Sequence, residues 1–313
     1  MTRIEIQGQS GRSQSPVRGG AAILFGSPFV AVGLFMVVMS AGEGRPGDAP
    51  QWVLTLVGFL FSGAGVFVGG HGIADILRRR RQAKLEVGET WMRDHPWRTD
   101  EARDENLTRA GRALGFAAFM LLFLTPFNWF AFLSGGAPMP VKGIIAFFDL
   151  LGALVAWSAV YGFLQVAKFG RTSLGFERFP YFLGETLSVR FRIPPRFGGV
   201  ETVRFTLRAI EEAYETRGAG RNRSKRVICY ELHRDETTRE LRMPELDEGR
   251  DVPVTFEIPA DGPPTRLGER PATYWEVEAK AEAPGIDYSA TFLVPIYARS
   301  DGTRPAENGS RLG

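Results

Sequence analysis

The chain has 313 residues, a formal net charge of +3, one cysteine and three histidines. Its 44% hydrophobic and 23% charged residues average to a soluble-looking composition, yet residues 1–170 hold four long stretches nearly free of charge and residues 171–300 are polar throughout. That division excludes a purely soluble enzyme and a collagen-like, disulfide-rich or wholly disordered chain, and Cys229 alone closes no internal disulfide.

Residues 1–19 read as a polar cytoplasmic tail, followed by a transmembrane domain over residues 20–170. A helix rising 1.5 Å per residue needs about 20 apolar residues to cross roughly 30 Å of hydrocarbon. Four runs meet that length, predicting helices at about 20–41, 52–76, 113–134 and 143–167. The first run is longer than the roughly 7–15 apolar residues of a signal peptide. No small-x-small cleavage site follows it before Glu43, so it is expected to stay as an anchor. Pro28 and Pro126 fall inside spans, where they predict kinks.

Basic residues close to spans are retained on the cytoplasmic side. The tail carries Arg3, Arg12 and Arg18, and the basic loop 77–112 carries a run from Arg78 to Arg81 and six further lysines and arginines, from Lys84 to Arg112. The alternate loops hold only Arg45 and Lys142. This asymmetry predicts a multi-pass protein of the cell (inner) membrane with both termini cytoplasmic.

Within the spans, Gly58, Ser62, Gly65 and Gly69 form a small-residue face that lets helix backbones approach, inside the bundle or in a homo-oligomer. Asp149 is the one ionisable residue well inside a span. An acid there is costly and faces a partner or water, and Lys142, Asn128 or Trp129 could supply that partner. His71 and Asp75, an i, i+4 pair, read as an interfacial pair at the inner end of the second helix.

Arg78, Arg79, Arg80 and Arg81 continue the second helix into the cytoplasm, where each would gain about 1 kcal/mol at anionic headgroups. Their juxtamembrane position accounts for them without nucleic acid. Trp91 and Trp97 flank His95-Pro96. They fit either the membrane interface or a segment docked onto the carboxy-terminal domain.

From about Thr172 the pattern becomes a strict alternation: Leu187, Val189, Phe191 and Ile193 interleave with Thr186, Ser188, Arg190 and Arg192. Similar segments recur around Val203–Leu207, Ile228–Leu232, Val252–Ile258, Trp275–Ala283 and Tyr288–Ile296. Period two, punctuated by Pro and Gly turns, predicts an antiparallel β-sandwich over residues 171–299. The segment Thr216–Arg226, with Arg217, Arg221, Arg223, Lys225 and Arg226, is expected as a basic hairpin tip for lipid or partner contact. Residues 300–313 read as a disordered tail.

PYFLGETLSVRFRIP resembles the opening strand motif of arrestin-like domains, and DVPVTFEIPADGPPT with TYWEVEAKAEAPGIDYSATFLVPIY is similar to their later strands. The combination resembles bacterial multi-pass membrane proteins whose helices precede an arrestin-like, immunoglobulin-like sandwich. The likeness spans residues of about 172–298 and implies an interaction module without active-site chemistry.

The sequence contains no Walker loop, HExxH, paired CxxC or GxSxG. Glu211 and Glu212 read as solvated neighbours at a strand end, His233 has no matched nucleophile, and Cys229 reads as small packing. No catalytic, cofactor or metal residue is expected. The resulting expectation is a membrane scaffold that recruits a membrane or cytoplasmic protein through its sandwich. A transporter or channel component using Asp149 is the alternative class, and a membrane-bound enzyme of unseen chemistry the third.

Overall fold

The structure, a computed structural model, describes residues 3–6, 9, 11–12, 19–42, 51–82, 90–133, 137–194, 197, 200–217, 224–241 and 251–299. The chain forms two compact units. One comprises residues 15–87 and 105–168, the other residues 1–14, 88–104 and 169–313.

The first unit is helical. Four segments are long and apolar enough to cross a membrane: Gly20–Ala41, Gln51–Leu77, Asn106–Leu133 and Met139–Phe169. They correspond to helix α1 (Gly20–Ala41), α2 (Gln51–Gln82), α4 (Asn106–Asn128) and α5 (Met139–Phe169), with the short α3 (Thr90–Asp94) lying in the second unit. α2 and α4 outrun the apolar cores seen in sequence because arginine stems continue a helix beyond the hydrocarbon. Arg109 pairs with Glu105 at 3.7 Å across the start of α4. Pro28 in α1 has no N–H for the carbonyl of Leu24, and the Ser27 hydroxyl donates to that oxygen instead at 3.1 Å. After Pro126, α4 passes into a π turn over Trp129–Leu133.

α1 and α2 pack on small residues that recur every seventh position. Gly19, Gly26 and Gly33 on one helix meet Gly72, Gly65 and Gly58 on the other. A Cβ on Gly26 would lie 2.6 Å from the Gly65 carbonyl oxygen, one on Gly58 2.7 Å from that of Gly33, and one on Gly72 2.5 Å from that of Gly19. At the far end of the row Thr55 donates its hydroxyl to that of Ser40 at 2.9 Å. The small-residue face seen in α2 therefore packs within this hairpin, and its working period is seven. Gly69 itself would accept a Cβ freely.

The second unit is a β-sandwich. β1 (Ile4–Glu5), β7 (Ser224–Glu240), β6 (Thr202–Arg217), β9 (Thr273–Ala281) and β10 (Tyr288–Val294) form one antiparallel sheet in that order. β2 (Glu101–Arg103), β3 (Ser173–Phe176), β5 (Thr186–Arg192) and β8 (Asp251–Glu257) form the facing sheet, also antiparallel. β4 (Tyr181–Phe182) and β11 (Ile296–Tyr297) add a short parallel pair. The alternation read from the sequence becomes one buried face per strand: β5 and β8 bury every second side chain. Phe191 sits at the centre, with the rings of Phe205, Phe292 and Tyr288 at 5.2, 6.2 and 6.1 Å. Each such buried ring contributes about 1.5–3 kcal/mol of burial free energy. Between β4 and β5, Gly184 turns with φ +81°, a conformation that favours glycine, and its N–H donates to the Ile258 carbonyl at 3.1 Å.

Two segments read as peripheral are parts of this sandwich. The amino-terminal residues, expected as a polar tail, place β1 against β7 with Ile4 opposite Glu231 and Glu5 opposite Tyr230. The end of the basic loop supplies β2, whose Glu101–Arg103 pairs with Ser173–Gly175 of β3. Neither had an alternating pattern long enough to announce a strand, because two or three residues are too few for a period.

Candidate functional site

The face of the β1-containing sheet turned away from the main core is covered at one end. Ile210 and Glu212 of β6, Cys229 and Glu231 of β7 and Tyr274 and Glu276 of β9 share it, as their cross-strand register requires. Ile210, Cys229, Ala272, Tyr274 and Leu293 form a small apolar cluster there, joined by Ile6, Trp97 and Leu267. Inside it lie carboxylates. Glu212 is 0%, Glu276 1% and Glu231 7% exposed.

Buried carboxylates persist when hydrogen-bonded or paired. Arg208 reaches Glu276 at 2.6 Å and Glu278 at 3.4 Å. The amino-terminal segment supplies further partners. Gln9 Nε2 donates to Glu276 at 3.2 Å and lies 3.4 Å from the Tyr274 hydroxyl. The Arg12 backbone N–H donates to Glu212, and its guanidinium lies 5.4 Å from the Tyr274 ring centroid. Outside the cluster Arg3 pairs with Glu211 at 2.9 Å. Burial pushes the Glu276 carboxyl above its ordinary range, against the opposing charges of Arg208 and Arg12. Burial, with Glu212 and Glu276 adding to it, pushes the Cys229 thiol up to about 11. Cys229 is thus an unreactive packing thiol, whereas Glu212, read as solvated, is wholly buried. Sequence reasoning missed this cluster because its halves lie some 200 residues apart.

The loop before β2 makes a second latch. Asp94 accepts the backbone N–H groups of Leu267 and Gly268 at 3.0 and 2.5 Å and the Tyr297 hydroxyl at 3.1 Å. Trp97 Nε1 donates to that hydroxyl at 2.8 Å. Of the two sequence readings of the Trp91–Trp97 segment, the structure has the docked one. Glu101 of β2, 7% exposed, pairs with Arg103 and with Arg192 at 2.9 Å.

In the helical unit Asn128 Nδ2 donates to Asp149 Oδ1 at 2.9 Å, one of the partners the sequence offered. Asp149 is half-buried. His71 Nδ1 lies 3.0 Å from the carbonyl oxygen of Phe67. Arg78–Arg81 lie in the last turn of α2, with Arg80 exposed.

Of the basic segment Thr216–Arg226, the described residues, 216–217 and 224–226, are strand. Arg217 stands opposite Ser224, Thr216 opposite Lys225 and Glu215 opposite Arg226, so β6 and β7 run on as a ribbon past the end of β9. Arg226 is exposed, while Arg221 and Arg223 lie outside the described residues, as do residues 300–313. At the opposite end of β6 is a groove of about 470 Å³, where Arg204 and Lys280 are balanced by Glu282 and Asp287. Among the described residues no group of three or more His, Cys, Asp or Glu side chains is arranged to hold a metal ion.

These features define a class: four helices able to cross a membrane, joined to an antiparallel sandwich whose outer face is closed by two segments from elsewhere in the chain. No protein-family model matches the chain. No curated protein matches it either. Among solved structures it is similar to Spo0M, a sporulation control protein from Bacillus subtilis, at 17% identity and a TM-score of 0.27. That match covers 41% of this chain and 49% of the other, about half its length.

Proposed function

We propose that this protein is an integral membrane scaffold whose arrestin-like sandwich lies on the cytoplasmic side and recruits a protein partner to the membrane surface. The observation that carries the reading is the composition of the sandwich. Residues of the amino-terminal segment, of the loop between the second and third spans and of the carboxy-terminal half share its sheets. Segments hydrogen-bonded in one sheet occupy one aqueous compartment, so each pair of spans must cross and return. The arginine asymmetry supports the cytoplasm as that compartment.

Four chain connections join the sandwich to the helical unit, and its strand edges and outer face suit polypeptide binding. Asp149, satisfied by the Asn128 amide, serves to fix α4 against α5.

The test is in-membrane photo-crosslinking from sandwich surface positions in the full chain. The reading expects a discrete partner that depends on the sandwich and persists in Asp149→Asn. A phenotype lost in Asp149→Asn, with protein level and crosslinks unchanged, would replace recruitment by transport.

A further inference from the structure

The described residues of the amino-terminal segment, 3–6, 9, 11 and 12, are held by a strand edge and side chains of the sandwich. Its strand is two residues long, on the β7 edge, and the Ile6 N–H extends that pairing to the Cys229 carbonyl at 2.9 Å. Beyond it, three side-chain positions three residues apart do the rest. Ile6 enters the apolar cluster, Gln9 meets Tyr274 and Glu276, and Arg12 lies over Tyr274 beside Glu212. Gly11 allows the backbone this close, since a Cβ there would stand 2.5 Å from Val227 and 3.2 Å from the Glu212 carboxyl. Beneath the segment the sheet is complete without it: β6, β7 and β9 are paired with one another along this stretch.

The geometry points to a peptide-binding groove that the chain fills with its own amino terminus, and whose other ligand is an extended basic segment of a partner protein, added to the β7 edge in its place. The inference rests on the recruitment reading and names its site. Three features fit that ligand. A strand edge offers main-chain hydrogen bonds to any extended peptide. Glu212, Glu231 and Glu276 outnumber the arginines paired with them, Arg208 on Glu276 and Arg234 on Glu231 at 3.6 Å, and that acidic surplus favours a basic side chain at the Arg12 position. Arg208, 8% exposed, has no hydrogen-bond partner for its Nε among the described residues, so an incoming carbonyl or amide oxygen there would add a bond that the resident segment does not make.

A tethered ligand competes at an effective concentration of about millimolar, which hides the groove from weak trans ligands until the segment is released. The test uses the purified full chain, a variant lacking residues 2–12, and a fluorescent peptide of residues 3–12 as probe. The truncated chain is expected to bind this peptide at least tenfold more tightly than the intact chain. Binding should weaken with salt and fall at least tenfold with an Arg12→Glu peptide or with Glu212→Gln and Glu276→Gln in the protein. Gly11→Val in the intact chain should mimic the truncation. A truncated chain that melts normally yet binds the Arg12→Glu peptide equally well overturns the groove. A truncated chain that no longer folds makes the segment structural and overturns it as well. A dimer that disappears on truncation gives the groove to a second copy instead. Should the peptide fail while sandwich-dependent crosslinks persist, recruitment stands and uses another surface.

Discussion

Glu101 and Glu276 are both nearly buried carboxylates, and their surroundings drive them in opposite directions. Burial raises Glu101, but hydrogen bonds from Arg103 and Ser173 and the charges of Arg103 and Arg192 outweigh it and leave the carboxyl lowered. A lowered folded value means that the stabilisation is present above the ordinary carboxylate range and is lost as pH falls through the folded value. Glu101→Gln should therefore cost about 1–3 kcal/mol at neutral pH and nothing in acid, read from thermal melting across pH. For Glu276 burial dominates and the value is raised. Its penalty is absent below the unfolded pKa and grows as pH rises through the raised folded value, so Glu276→Gln should flatten that arm of the curve. A Glu276→Gln curve parallel to wild type would contradict the burial assigned here. Asp149→Asn keeps a partner for Asn128 and should change stability by less than about 1 kcal/mol in detergent.

At the level of elements, the α1–α2 hairpin depends on the absence of side chains at its crossing. Gly33→Val should clash with α2 and destabilise the hairpin by about 1–3 kcal/mol, whereas Gly69→Val, where a Cβ meets open space, should be nearly silent. Helix-helix crosslinking yields with the two variants check the contrast. The four spans were legible because about 20 apolar residues admit no other structure in lipid, and β5, β8 and β10 because a half-buried strand imposes period two. The heptad of glycines was visible only on α2 as a GxxxG pair. Its meaning needed the matching row Gly19, Gly26, Gly33 and Ser40, which is diluted among apolar residues. β1 and β2 were not legible, and the Asp94–Trp97 latch was legible only as one of two readings of the tryptophans. Their partners Glu231, Gly175 and Tyr297 are fixed by long-range register, which no local pattern encodes. For the same reason Glu212 looked like one of two solvated acids. Asp94→Ala removes the acceptor for two backbone N–H groups and one hydroxyl, and should raise proteolytic cleavage near Trp97 while leaving the spans unaffected.

For the whole molecule, the account rests on one compartment for three chain segments and on that compartment being the cytoplasm. Thiol labelling in intact cells reads this directly, and Cys229, buried and with its thiol pushed up to about 11, contributes little background. Single cysteines at Ala49, in the short loop between the first two spans, and at the exposed Asp261 of the sandwich are treated with a membrane-impermeant maleimide. The account predicts labelling at position 49 in intact cells and at position 261 only after the cells are opened. Labelling at 261 in intact cells would put the sandwich outside and contradict cytoplasmic recruitment.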